Sequence, residues 1–232
     1  MLSTLPAEGV SVTLADSIAV GIYWRCMSLF RSIILLLSNN QPEEALMLWR
    51  PLFTDSLRIR ELEAAGKKDR IAIQLGHFAS SLERTKDRAQ EAKRQRITDD
   101  ITKELAQIEK QKRALEGYRK KLGIDKLKQF SSEKNLIKKL NLKVDFWTFL
   151  YSHGFVHGED IAQIHRRRRI EHTSVLAFFS HTADPELLGG VGLAAAQLIL
   201  DTHESAGKML GWETSPELPK LLSAIKSRLG ES

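Results

Sequence analysis

The chain has 232 residues, enough for one sizeable core or for a core with an appended arm. Hydrophobic residues make up 42% and charged residues 28%, which excludes a largely disordered chain. A single cysteine excludes an intramolecular disulfide and a cysteine-based zinc site, and the formal net charge of +6 permits an anionic partner without requiring one.

Only six prolines and fourteen glycines interrupt a composition rich in helix formers, so an all-α protein is expected. Cys26 lies in an apolar run and reads as a small core residue of a protein in a reducing cytoplasm. Residues 1–9 lack a basic n-region, so no signal peptide is expected. The most apolar stretch, residues 18–37, contains Arg25 and Arg31. Each costs about 2.5 to 3.5 kcal/mol near the centre of a membrane span, which favours a helix of a soluble core and no membrane association.

In chain order, Asp16 or Ser17 caps a first helix running to about Leu37, apolar on most faces and therefore expected at the centre of a bundle. Ser38, Asn39, Asn40, Gln41 and Pro42 end it, and Pro42 opens a second helix with Glu43 and Glu44 at its positive end. There Ala45, Leu48, Trp49, Leu52, Phe53, Ser56, Leu57 and Ile59 form a wide apolar face. Arg50 and Arg58 fall two turns apart on a polar edge. They are either solvated, or reach into a cleft to hold phosphate or pair with an acid.

Gly66 marks a boundary, and from residue 67 to 123 no proline occurs and charges of both signs alternate. Ile101, Ile108, Leu115 and Leu122 repeat every seven residues, although Glu104 and Gln111 occupy the other seam position. Thr98, Asp99 and Asp100 suit the start of a new helix, so an antiparallel hairpin turning near residues 94–100 is expected. Residues 124–144 are basic and read as short helices or a connector returning to the core. The expected organisation is residues 1–66 as N-terminal bundle helices, 67–123 as an inserted hairpin arm, and 124–232 completing the bundle.

Asp145 caps an aromatic segment leading into Tyr151, Ser152, His153, Gly154, Phe155, Val156, His157 and Gly158. His153 and His157 share a face if the helix continues, but no third ligand is defined, so no metal site and no cofactor are expected. Either one histidine is hydrogen-bonded in a core, or His157 serves as a general acid/base or an RNA contact. Arg166, Arg167, Arg168 and Arg169 cannot share one helical face and form either a solvated surface or a phosphate-binding patch.

Gly190, Gly192 and Ala195 match a dinucleotide fingerprint in letters but follow a helix start and no strand, which points to close helix packing through small residues. Asp184, Pro185 and Glu186 open a helix through Leu210 that ends at Gly211, and Ser215, Pro216 and Glu217 open another through Leu229.

Glu43 to Phe53, followed about a hundred residues later by an aromatic helix ending in Phe155, Val156, His157 and Gly158, resembles the DUF5677 family. That family looks related to the HEPN-like helical bundles, many of which are ribonucleases or partners of nucleotidyltransferases in toxin and defence systems. The resemblance covers the helical body, with the arm as an insertion, and Arg50 and His157 are the positions that carry over. Where an acid often follows the Leu-Phe pair this chain has Thr54, with Asp55 one place later, and His153 stands where serine is usual. HEPN ribonucleases resemble one another in an Arg-x(4 to 6)-His motif that acts on RNA without metal. The chain contains it as Arg70 to His77 and as Arg166 or Arg167 to His172.

The expectation is therefore an all-α, HEPN-like helical bundle with an inserted long antiparallel helical hairpin, cytoplasmic. The expected function is that of an RNA-binding protein, with metal-independent ribonuclease activity in a toxin or phage defence setting as the enzyme class. His157, Arg50, His153, Arg167 and His172 are the candidate catalytic residues, and Arg58 with Arg166, Arg167, Arg168 and Arg169 the candidate RNA contacts. The alternative is a non-catalytic interaction or scaffold protein whose residues 68–122 bind a partner or a second copy in a homodimer.

Overall fold

The computed structural model describes residues 14–95, 101–140 and 185–212, together with Glu217, Lys220 and Ser223. Every regular element among them is an α-helix. These are α1 (Leu14–Ser38), α2 (Pro42–Ala64), α3 (Lys67–Arg94), α4 (Ile101–Lys121), α5 (Glu133–Lys139) and α6 (Pro185–Leu210). The chain divides into two compact units, Met1–Ala19 with Leu62–Ser131, and Val20–Glu61 with Ser132–Ser232.

Local chemistry sets the helix ends. After α1, Asn40 adopts the left-handed conformation at φ 62°. Its N–H reaches Leu37 O at 3.0 Å and Gln41 N–H reaches Leu36 O at 2.9 Å, a Schellman closure with asparagine in the place glycine usually fills. Pro42 then begins α2, where its missing N–H costs nothing. The same closure ends α4, with Gly123 at φ 61° and Ile124 N–H on Arg119 O at 3.1 Å. Pro51 lies inside α2 and removes one donor from the ladder. The carbonyl thus released belongs to Met47, an exposed residue, so water can satisfy it.

In the unit containing residues 20–61, the core is built from the apolar faces of α1, α2 and α6. Trp49, Leu52, Phe53, Leu57, Cys26, Ile33, Ala195 and Leu198 are all buried. Trp49 and Phe53 stack at 5.0 Å between ring centroids with 12° between planes. Gly192 takes α6 close to α1, where an added Cβ would meet Leu37 at 3.3 Å. The glycine pattern of α6 thus lies within a helix and serves packing.

The expectation of a central, wholly buried α1 is corrected. Trp24, Ile34 and Leu35 are exposed at 45%, 44% and 63%, and Gly21, Ser28 and Arg31 share that outward face. An all-round apolar sequence fills a bundle centre only if helices cover it on every side, and among the described residues none covers this stripe. Residues 16–38 are long and apolar enough to cross a membrane by length and composition, and 28% of the apolar window is buried.

In the other unit, α3 and α4 lie antiparallel. Lys86 Nζ meets Glu109 Oε1 at 2.7 Å and Lys112 Nζ meets Glu83 Oε1 at 2.5 Å, so residue numbers rise on one helix as they fall on the other. Leu82 and Ala89 of α3 and Ile101, Ile108 and Leu115 of α4 are buried. The heptad residues of α4 therefore close on α3, and Leu122, at 38% exposure, marks where the seam opens.

The extended segment after α4 runs back along α3. Lys128 N–H bonds Ala72 O at 3.1 Å, Gln129 Nε2 bonds Gly76 O at 3.3 Å, and Ser80 Oγ donates to Gln129 Oε1 at 3.1 Å. Gly76 is what permits this approach. A Cβ there would overlap the Lys128 carbonyl oxygen and lie 2.9 Å from its carbon.

Candidate functional site

Among the described residues, the polar edge of α2 brings together Arg50, Asp55, Arg58 and Arg60. Asp55 follows two buried apolar residues, Leu52 and Phe53, by less than a turn and is 1% exposed. Arg58, one turn on, donates from Nη1 to Asp55 Oδ1 at 2.7 Å. Arg25 of α1 brings Nε to 3.3 Å from Oδ2, close enough for ion pairing but not aligned as a hydrogen bond. Burial pushes the Asp55 carboxyl up, and the two arginines oppose that shift without reversing it. Burial and then the Asp55 charge hold the neighbouring Cys26 thiol far above its ordinary range, so Cys26 is an inert core residue.

Thr54, next to Asp55, and Arg50, one turn before Thr54, meet α5. Ser132 caps that helix, its Oγ accepting from Asn135 N–H at 3.4 Å, and Glu133 follows in the first turn. The position suits a carboxylate, because the helix end presents partial positive charge. Glu133 Oε1 accepts from Thr54 Oγ1 at 2.5 Å, and Glu133 Oε2 lies 3.8 Å from Arg50 Nη2. The Arg50 and Glu133 side chains are 21% and 27% exposed. The Arg50 guanidinium is thus placed beside an acid, and an arginine so placed can exchange a carboxylate for a phosphate.

Towards its C-terminal end α2 is tied to α6. Thr202 Oγ1 lies 2.8 Å from Ser56 Oγ in the core and 2.6 Å from Leu198 O. Arg60 lies 4.0 Å from Asp201, which Gln197 Nε2 also reaches at 2.8 Å. On α1, the Tyr23 hydroxyl sits 2.7 Å from His203 Nδ1, and its ring packs edge-on against Trp212 at 5.2 Å. Burial lowers the His203 pKa and raises that of Tyr23, so both shifts favour the neutral forms of this pair.

Among the described residues no cluster of three or more His, Cys, Asp or Glu could hold a metal ion. A shallow groove of about 420 Å³ near the end of α3 is lined by Asp87, Arg88, Gln90, Glu91 and Arg94, where two acids offset two arginines.

The sequence candidates divide as follows. Arg50 and Arg58 are half-buried and paired with acids, so neither belongs to a solvated stripe. Arg70 and His77 share α3 but serve the fold there. Arg70 Nε bonds Leu62 O at 2.8 Å, and the His77 ring meets Phe130 edge-on at 5.2 Å. His153, His157, Arg166, Arg167, Arg168, Arg169 and His172 lie outside the described residues.

The model of a family of unknown function, DUF5677, matches residues 16–172. The chain belongs to DUF5677. No curated protein and no solved structure matches it. The DUF5677 match takes in α1 to α5, both histidines of the 153–157 stretch and the arginine run, and stops short of α6. Asp55, Glu133 and Arg25 were not singled out from the sequence as site residues. A signal for Glu133 was available: a serine followed at once by an acid, opening a short helix in a basic stretch.

Proposed function

We propose that this DUF5677 protein is a HEPN-like, cytoplasmic RNA-binding protein acting as a metal-independent ribonuclease in a toxin or defence setting. The observation that supports the reading is Arg50, a half-buried side chain on α2 whose Nη2 lies 3.8 Å from Glu133 Oε2, at a position that the DUF5677 resemblance carries over. His157, within the same family match, is its proposed counterpart.

The proposed step is transesterification. His157 takes the proton from a ribose 2′-hydroxyl as its oxygen attacks the adjacent phosphorus. The bond from phosphorus to the 5′-oxygen breaks, and that oxygen leaves with a proton from solvent. Arg50 stabilises the charge on the non-bridging oxygens. His153, Arg167 and His172 are reserve candidates for proton transfer and phosphate contact, with Arg58, Arg166, Arg168 and Arg169 as further contacts.

The test is cleavage of a labelled RNA in the presence of a chelator. Products ending in a 2′,3′-cyclic phosphate are expected, with Arg50→Ala and His157→Ala each lowering the rate by at least about 100-fold. If no RNA is cut or shifted, or if His157→Ala changes stability alone, the reading fails.

A second reading, a scaffold that assembles through residues 68–122, is supported by the length of the α3–α4 pair. Its apolar seam is already used between the two helices, so a partner would have to bind their charged outer faces.

A further inference from the structure

The chain's positive charge is concentrated in one place. Residues 67–121 hold sixteen Lys and Arg against nine Asp and Glu, a surplus of seven, whereas the whole chain has a surplus of six. The remainder is close to neutral. Within the arm, α3 and α4 use their charges differently. The outward side of α3 mixes signs, with Arg84, Asp87, Arg88 and Glu91 all exposed.

On α4 the signs are sorted. By helical register Glu104, Glu109 and Glu116 fall on its flanks, and two of them are engaged in ion pairs. Glu109 pairs with Lys86 at 2.7 Å, and Glu116 pairs with Arg119 at 2.7 Å and with Lys120 at 3.7 Å. Opposite the buried seam of Ile101, Ile108 and Leu115 lies a face without an acid, carrying Lys103, Lys110, Arg113 and Lys121, all exposed, with Lys120 at its edge beside Glu116. Between these side chains stand Ala106, Ala114 and Gly117, also exposed, so the helix surface there is smooth.

We infer that this outer face of α4 is a docking surface for the phosphate backbone of double-stranded RNA. The choice of RNA rests on the functional reading above, and the remainder rests on charge and shape. Lys103, Lys110 and Lys121 follow one line, about 10 Å and then about 16 Å apart at the rise of an α-helix. Small residues between them let a backbone approach closely, and flexible ammonium groups neutralise phosphates without needing fixed geometry.

Other occupants fit less well. Single strands are held by stacking bases on aromatic side chains, and this face offers only the half-buried Tyr118 at its edge. A helix that lies in a membrane surface needs its apolar side free, and that of α4 is sealed against α3. A second copy would bring like charges together.

The full-length protein is titrated against a labelled 20-base-pair RNA duplex, the DNA duplex of the same sequence, and single-stranded RNA, each at several salt concentrations. The triple variant Lys103→Gln, Lys110→Gln, Lys121→Gln is expected to lower the slope of log affinity against log salt for the RNA duplex by about three. The matching Lys→Arg triple is expected to keep the parent slope. Lys134→Gln, Lys138→Gln, Lys139→Gln on α5, with the same change in net charge, is expected to leave it unchanged.

If the α4 glutamine triple binds the RNA duplex as the parent does, or the α5 triple loses as much, the surface is overturned while RNA binding stands. Loss confined to the DNA duplex or to single-stranded RNA overturns the choice of double-stranded RNA. A parent protein that binds none of the three overturns the functional reading itself.

Discussion

Asp55 is a carboxylate that the core tolerates because two arginines reach it from the edge. Its pKa is raised in the folded chain, so the folded state prefers the protonated form more than the unfolded state does. The stability it contributes is therefore fully present below the unfolded value and is lost as pH rises through the raised folded value. Asp55→Asn removes this dependence. Denaturant unfolding at a series of pH values is expected to show the parent losing stability relative to Asp55→Asn as pH rises from about 4 upward. A constant difference between the two proteins would mean that the arginines hold Asp55 ionised at no cost. Arg50 poses the complementary case, since its half-buried side chain lies beside Glu133. That geometry makes it the arginine to mutate first in a cleavage assay.

Among the elements, α3 and α4 show how differently two helical glycines can behave. Gly76 faces the returning segment, where a methyl group would overlap the Lys128 carbonyl. Backbone cannot yield as a side-chain tip can. Gly76→Ala is therefore expected to destabilise the protein by about 2 kcal/mol or more, despite the better helix propensity of alanine. Gly117 on α4 has nothing within 4 Å of an added Cβ. Gly117→Ala should stabilise by about 0.5–1 kcal/mol. Urea titration of both variants checks the pair, and equal effects would contradict the packing described around Lys128. The opposite faces of α4 divide labour in the same way, one closing on α3 and the other gathering lysines.

Across the whole molecule, the two functional readings make different demands on the arm. The scaffold reading expects the full chain to run as an assembly and a protein lacking residues 68–122 to run as a folded monomer. Light scattering with circular dichroism decides it, and the same association state for both proteins sinks that reading. The ribonuclease reading places the chemistry on α2 and on residues outside the described set, with the arm contributing affinity. Family membership does not choose between them, because the DUF5677 match takes in both the α2 edge and the arm.

The sequence by itself determined the helical class, the family, and most helix boundaries, because these depend on signals that act within a turn. Asn40 and Pro42 mark the α1–α2 junction, Gly123 the end of α4, and Gly211 the end of α6, where Trp212 N–H returns to Gly207 O at 3.0 Å. The stripe of α1 that none of the described residues covers was not legible, since an apolar helix looks alike whether or not every side is covered. Nor were the partners of the arginines. Arg50 meets an acid more than eighty residues away and Arg25 one thirty residues away, and neither distance leaves a trace in local spacing. Only tertiary packing decided which charges share a desolvated edge, because each pair joins residues that are distant in sequence.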